Sequence, residues 1–236
     1  MKSSDPKSPS PIRVVLAADD SIHSRLLADA LKLDQSLEIV AVAPNSQEFR
    51  RVVDRTSPDV VVLSIHLDDD PKGGIVALRD FRESHPQTPA VIMLESPKHE
   101  IVLDAFRAGA QGIFSEHESL ESLRKCVRVV FEGQVWATSR EVKLALQALA
   151  AVRSSQMVNG GGLSLLTRRE RQVVDLLAEG LTNREIGERL GLSRHTIKNY
   201  LLKIFDKVGV SNRVELLFLT LTHPLHAGST NNQIDD

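Results

Sequence analysis

The feature that most constrains this chain is an alternation, through its first half, between short β-branched runs and segments of helical period. Arg13–Ala18 (RVVLAA), Leu37–Val42 (LEIVAV), Val60–Ile65 (VVVLSI), Ala90–Leu94 (AVIML) and Gly112–Phe114 (GIF) each read as a buried parallel strand. Between them apolar residues recur at helical spacing, such as Leu26, Leu27, Ala30 and Leu31, or Val102, Ala105, Phe106 and Gly109, and Ser119–Glu132 follows the last run. Strict alternation predicts a parallel sheet, because parallel neighbours need a crossover and a helix is the usual one. The expectation for residues 12–138 is an α/β domain with a five-stranded, doubly wound parallel sheet. Any site should lie at the C-terminal ends of its strands.

From Leu163 the period is helical only, which predicts a small all-α four-helix domain over residues 163–222. Between the two, at 139–162, lie a helical stretch, Arg140–Ala151, and a flexible linker, Ser154–Gly162 (SSQMVNGGG). The Pro/Ser-rich leader 1–11 and the tail 223–236 carry no periodic apolar pattern and are expected to be disordered. No apolar run reaches the ~18 residues of a spanning helix, so the expectation is a cytoplasmic protein without membrane contact. The single cysteine, Cys126, excludes an internal disulfide and a cysteine-only metal site, and is expected on a buried helix face.

The formal net charge of −2 hides a polarity. Residues 1–162 carry 19 Lys and Arg against 22 Asp and Glu, whereas residues 163–222 carry 10 against 7. Only the second part has the sign to meet a polyanion.

That basic part contains the organisation of a helix-turn-helix in Leu181–Val208. Thr167-x-x-Glu170 and Thr182-x-x-Glu185 are capping boxes. The helix capped by Thr182 ends at Leu190, Gly191 permits the turn, and Ser193 caps the next helix. On this helix Ile197, Leu201, Ile204 and Val208 form one apolar stripe, while His195, Lys198, Asn199 and Leu202 project from the other side. A cation and an amide in the first two turns are what a major-groove reader needs. Arg184, Arg194, Thr196 and Lys203 flank that face as phosphate contacts, and the cap residues Ser193 and Thr182 complete the DNA-binding set.

In Asn212–Thr222 (NRVELLFLTLT), Val214, Leu217, Phe218 and Leu221 suffice to face a core, which leaves Leu216 and Leu219 pointing away. The expectation is that these two leucines form a homodimer contact, presenting two reading helices to a palindromic or pseudo-palindromic duplex site.

Leu166–Leu217 closely resembles the DNA-binding domain of LuxR-type regulators, and the first ~125 residues resemble the receiver domain of NarL/FixJ response regulators. The resemblance implies that Lys198, Asn199 and Leu202 touch bases, with Thr196 and Lys203 near the DNA backbone. Leu202 stands where a polar or basic residue is frequent, so contact with a thymine methyl would replace a hydrogen bond.

The same resemblance implies a phosphoryl-accepting site, and here the chain departs from its family. The acidic pair is present as Asp19 and Asp20. Ser64, however, stands where the acceptor aspartate belongs, Glu95 at the hydroxyl position and Glu116 at the lysine position. A serine hydroxyl cannot form the acyl phosphate, and two carboxylates would repel an incoming phosphate. The expected function is thus a sequence-specific DNA-binding transcriptional regulator, not an enzyme, whose degenerate receiver works without phosphorylation. Its receiver would sense an unknown signal ligand or protein, with Arg140–Ala151 transmitting its state. The alternative is conventional two-component phosphorylation at a displaced aspartate, Asp68, Asp69 or Asp70. No cofactor is expected, beyond a weak magnesium or calcium site at Asp19 and Asp20 with Glu116. An enzyme using the acidic cluster with a metal is the reading from another class.

Overall fold

The computed structural model describes residues 10–19, 22–138, 141, 161–210 and 212–222. The chain divides into two compact units, one ending at Phe131 and the other beginning at Glu132. The expected boundary at 138 therefore moves earlier, because Glu132 and Gln134 bond within the second unit, to the Asn183 amide and the Gly180 carbonyl.

In the first unit β1 (Ile12–Ala17), α1 (Ile22–Lys32), β2 (Leu37–Ala43), α2 (Ser46–Thr56), β3 (Val60–Ser64), α3 (Gly73–Ser84), β4 (Ala90–Leu94), α4 (His99–Arg107), β5 (Gly112–Ser115) and α5 (Leu120–Phe131) follow in strict alternation. The sheet is entirely parallel, in the order β2-β1-β3-β4-β5. Strand order reverses direction at β1, so the crevice between the ends of β1 and β3 is where such a fold receives a ligand.

β4 is buried throughout and β3 at every position except the half-buried Ser64, as strands covered on both faces require. The reading of β2 as fully buried is corrected. It is one of the two edge strands, with Glu38 and Val42 exposed and only its first and last residues buried, and its pairing with β1 shifts register between Val14 and Val15. Cys126 lies on the buried face of α5 as expected, and burial pushes its thiol well above the ordinary value.

The second unit contains α6 (Gly161–Ser164), α7 (Arg168–Ala178), α8 (Asn183–Leu190), α9 (Arg194–Val208) and α10 (Arg213–Thr222). Gly161 and Gly162, read as the end of a flexible linker, fall in α6, whose Leu163 joins the core. The rest of that linker, and the Arg140–Ala151 stretch apart from Glu141, lie outside the described residues, as do the leader up to 9 and the tail after 222.

Both capping boxes form. Thr167 and Thr182 accept from the backbone amides of Glu170 and Glu185, whose carboxylates accept in return from the cap amides at 2.8 and 2.7 Å.

The dimer expectation for Leu216 and Leu219 is corrected. Leu216 is 0% and Leu219 2% exposed, both inside the core with Val173, Leu177, Ile186 and Ile204, while Leu217 is only partly buried. α10 carries apolar residues around most of its circumference, so its inward face is set by where the other helices lie.

Candidate nucleic-acid interface and strand-end cavity

The helix-turn-helix is built from local chemistry. α8 ends at Gly191 in the left-handed conformation (φ 68°), and Ser193 then caps α9 by accepting from the Thr196 amide at 3.0 Å. The turn is held from below, because the Leu192 amide donates to the Gly187 carbonyl at 2.8 Å. A side chain at Gly187 would put its Cβ 2.6 Å from the Leu192 carbonyl oxygen, so only glycine lets α8 approach the turn this closely.

α9 buries Ile197, Leu201, Ile204 and Val208, the stripe read from the sequence. Its opposite side presents His195 and Asn199 exposed and Lys198 and Leu202 half-buried, with Lys203 exposed and Arg194 and Thr196 half-buried beside them. The ten residues are not equally free. The Ser193 hydroxyl serves its cap and pairs with the Thr196 hydroxyl at 2.8 Å, and the Thr182 hydroxyl donates to Glu185 at 2.8 Å. Arg194 and Lys198 each engage another group of the chain. Arg184 forms an exposed pair with Glu188 at 3.6 Å, a contact that costs little to exchange for a phosphate.

Two long-range polar contacts that sequence reasoning missed tie the helices of this unit together. Arg213, at the start of α10, donates to the Leu181 carbonyl at 2.8 Å and to Asn183 Oδ1 at 3.2 Å, and burial lowers its guanidinium to about 10. Lys207 reaches back to Glu170. Neither has a local signal, since each partner is some 30 or more residues away.

In the first unit Asp19, Ser64, Glu95 and Glu116 line one cavity of about 720 Å³ at the strand ends. Asp19 accepts from the Ser24 hydroxyl at 2.7 Å. Ser64 closes β3 opposite Met93 of β4, and its hydroxyl accepts from the His66 amide at 3.3 Å. Asp20 lies outside the described residues, among which no three His, Cys, Asp or Glu side chains converge as a metal-ion donor set.

Asp68, Asp69 and Asp70 do not line this cavity. They follow β3 in a turn where Asp68 and Asp69 hold left-handed φ values of 62° and 57°. Asp68 accepts from the Ser46 amide at 2.9 Å and Asp70 from the Lys72 amide at 2.7 Å. The turn is clamped by Gly73 and Gly74, where a Cβ would fall 1.8 Å from the Leu67 carbonyl oxygen and 2.0 Å from that of Ser64.

Residues 164–220 match the family of bacterial regulatory proteins, luxR family, and residues 14–128 match the response regulator receiver domain. The chain is 31% identical over 204 residues to the DNA-binding transcriptional activator DevR/DosR of Mycobacterium tuberculosis, a match covering 86% of this chain and 91% of that one. Its fold is that of the RcsB response regulator of Salmonella typhimurium (TM-score 0.51, 18% identity, 87% and 97% of the two chains) and of a solved RcsB–DNA complex (TM-score 0.50, 17% identity, 90% and 99%). The chain belongs to the NarL/FixJ-type response regulators, with a receiver domain followed by a LuxR-type helix-turn-helix. It is a DNA-binding transcriptional regulator rather than an enzyme. Among the described residues no helix is long and apolar enough to cross a membrane.

Proposed function

We propose that two copies of this regulator bind a palindromic or pseudo-palindromic duplex site in the cytoplasm, and that the receiver controls this binding without accepting a phosphoryl group. His195, Lys198, Asn199 and Leu202 read base edges from the major groove. Arg184, Arg194, Thr196 and Lys203 hold phosphates, aided by the positive end of α9 at Ser193 and by Thr182. The dimer contact is not at Leu216 and Leu219, which the core consumes.

The observation that carries the phosphorylation-independent reading is the lining of the strand-end cavity. Ser64 supplies a neutral hydroxyl where an acyl phosphate would have to form, while Glu95 and Glu116 supply negative charge where a phosphate would need a hydroxyl and a cation. Asp68 and Asp70 of the following turn are engaged with the backbone amides of Ser46 and Lys72.

Incubation with acetyl phosphate and magnesium, followed by intact-mass measurement, tests the receiver reading. No phosphoryl adduct is expected, and an adduct mapped to Asp68, Asp69 or Asp70 would establish the displaced-acceptor alternative. Selection of bound DNA from a random pool tests the rest: a two-fold symmetric consensus is expected, and an asymmetric single half-site would remove the dimer.

A further inference from the structure

We propose that the strand-end cavity of the receiver unit is a binding site for a small amphipathic cation, a molecule with an apolar ring body and a protonated amine. This rests on the reading that the site takes no phosphoryl group, and it names what the site takes instead.

The cavity's size comes first. At about 720 Å³ it lies within the range of sites that enclose drug-sized ligands, and it is far larger than a phosphoryl group or a hydrated ion needs. Its walls come second. Leu27 and Ala30 of α1, Met93 at the end of β4, Phe114 of β5 and Leu123 of α5 supply an apolar lining that an inorganic ion has no use for. Water against these apolar side chains gains few hydrogen bonds from them, so an apolar body covering that part of the lining is favoured.

The charge of the lining selects the class. Among the described lining residues Asp19, Glu95, Glu116 and Glu118 are acidic, none is a lysine or arginine, and His66 is the one imidazole. Asp19 and Glu118 are held by hydrogen bonds, from the Ser24 hydroxyl and the Ser115 amide. Glu95 and the half-buried Glu116 make no side-chain hydrogen bond or ion pair among the described residues. An anionic ligand meets like charge, and a neutral one leaves the acidic side unanswered. A cation over an apolar body answers both halves of the lining.

The site also lies where its occupancy can matter. It joins α1, the ends of β1, β3, β4 and β5, and α5. A ligand held between α1 and α5 changes the spacing of two helices that pack against each other, and so shifts any equilibrium that depends on that spacing.

The test uses the full chain and a matched fluorescent series: monodansylcadaverine, which carries one ammonium; its N-acetyl derivative, which is neutral; and dansyl-6-aminohexanoate, which is anionic. Saturable one-to-one enhancement and blue shift of dansyl emission are expected for the cation, with affinity about tenfold above the neutral compound and no saturable signal from the anion. Glu116→Gln should weaken the cation by about fivefold while leaving the neutral compound unaffected. Ala30→Trp, which fills the space from α1, should abolish both signals with circular dichroism unchanged.

Equal binding of cation and neutral compound, or cation binding indifferent to both substitutions, would overturn the proposal, as would no binding at all. So would a dimer in sedimentation velocity that excludes the dye and dissolves on Leu26→Glu, because a second copy would then cover the mouth. Intact mass after acetyl phosphate, on the same preparation, separates the two claims. An adduct defeats the phosphorylation-independent reading, whereas dye failure without an adduct defeats only the ligand.

Discussion

Lys207 Nζ lies 2.7 Å from Oε2 and 2.8 Å from Oε1 of Glu170, which ties the last turn of α9 to the N-terminal cap of α7. Glu170 thereby serves two structures at once, as the carboxylate of a capping box and as the buried partner of a cation. Burial alone would raise its carboxyl, but the Lys207 ammonium and the Thr167 amide and hydroxyl outweigh that and hold it below its ordinary value of 4.5.

The sign of the pH dependence follows. A carboxyl whose folded value is depressed contributes stability that is complete above its ordinary value of 4.5 and is lost as pH falls through the lowered folded value. Glu170→Gln should therefore flatten the acid limb of thermal stability for the second unit. Lys207→Met, which leaves the carboxylate without its cation, should cost about 1–3 kcal/mol at neutral pH. Melting followed by circular dichroism between pH 3 and 7 checks both, and an unchanged acid limb in Glu170→Gln would remove the linkage.

Leu216 and Leu219 should behave as core residues. Each truncation to Ala is expected to cost about 2–5 kcal/mol by loss of packing, and Glu at either position should unfold the second unit rather than merely uncouple two copies. Helicity is the readout: a Leu216→Glu protein with full helicity and reduced cooperativity on DNA would return these residues to an interface.

Gly187→Ala should disturb DNA binding from a distance. Its Cβ would approach the Leu192 carbonyl oxygen to 2.6 Å, so the turn must move, and with it the cap at Ser193 and the first turn of α9. The expected stability cost is about 1–3 kcal/mol, with loss of specific binding exceeding loss of nonspecific binding. Equal loss on both kinds of DNA would mean that the turn does not set the reading face.

For the interface itself, Lys198→Ala is expected to weaken specific binding by about 1–3 kcal/mol and relax the base preference at one position. Arg184→Ala should weaken all sequences alike and reduce the salt slope by about one. Titrations at several salt concentrations separate the two, and an unchanged footprint for Lys198→Ala would displace the base-reading role to another part of α9.

Ser64→Asp alone should not create phosphorylation-dependent DNA binding, because Glu116 still repels the phosphate and cannot report it. Restoration is expected only when Glu95→Thr and Glu116→Lys are added. A stable adduct and a donor-dependent affinity in the single variant would show that the two glutamates are permissive.

Much of this protein was legible because its rules are local. A capping box needs a hydroxyl and a carboxylate three residues apart, and Thr167 with Glu170 and Thr182 with Glu185 meet that condition in any context. Gly191 before Ser193 spells the turn, and the burial of Ile197, Leu201, Ile204 and Val208 follows from their spacing on one helix. The continuous apolar runs of β1, β3 and β4 likewise announce strands covered on both faces.

What only the tertiary structure decided involves partners distant in sequence or surfaces without a polar side. On α10 neighbouring leucines occupy several faces, so periodicity could not say that Leu216 and Leu219 turn inward while Leu217 is only partly buried; the placement of α7, α8 and α9 decides it. β2 looks as buried as its neighbours until its place at the edge of the sheet is known. The contact of Lys207 with Glu170 spans 37 residues, and that of Arg213 with Asn183 spans 30. The cavity at Ser64, Glu95 and Glu116 is lined by residues that converge from α1, the ends of β1, β3, β4 and β5, and α5, a convergence that no residue type encodes by itself.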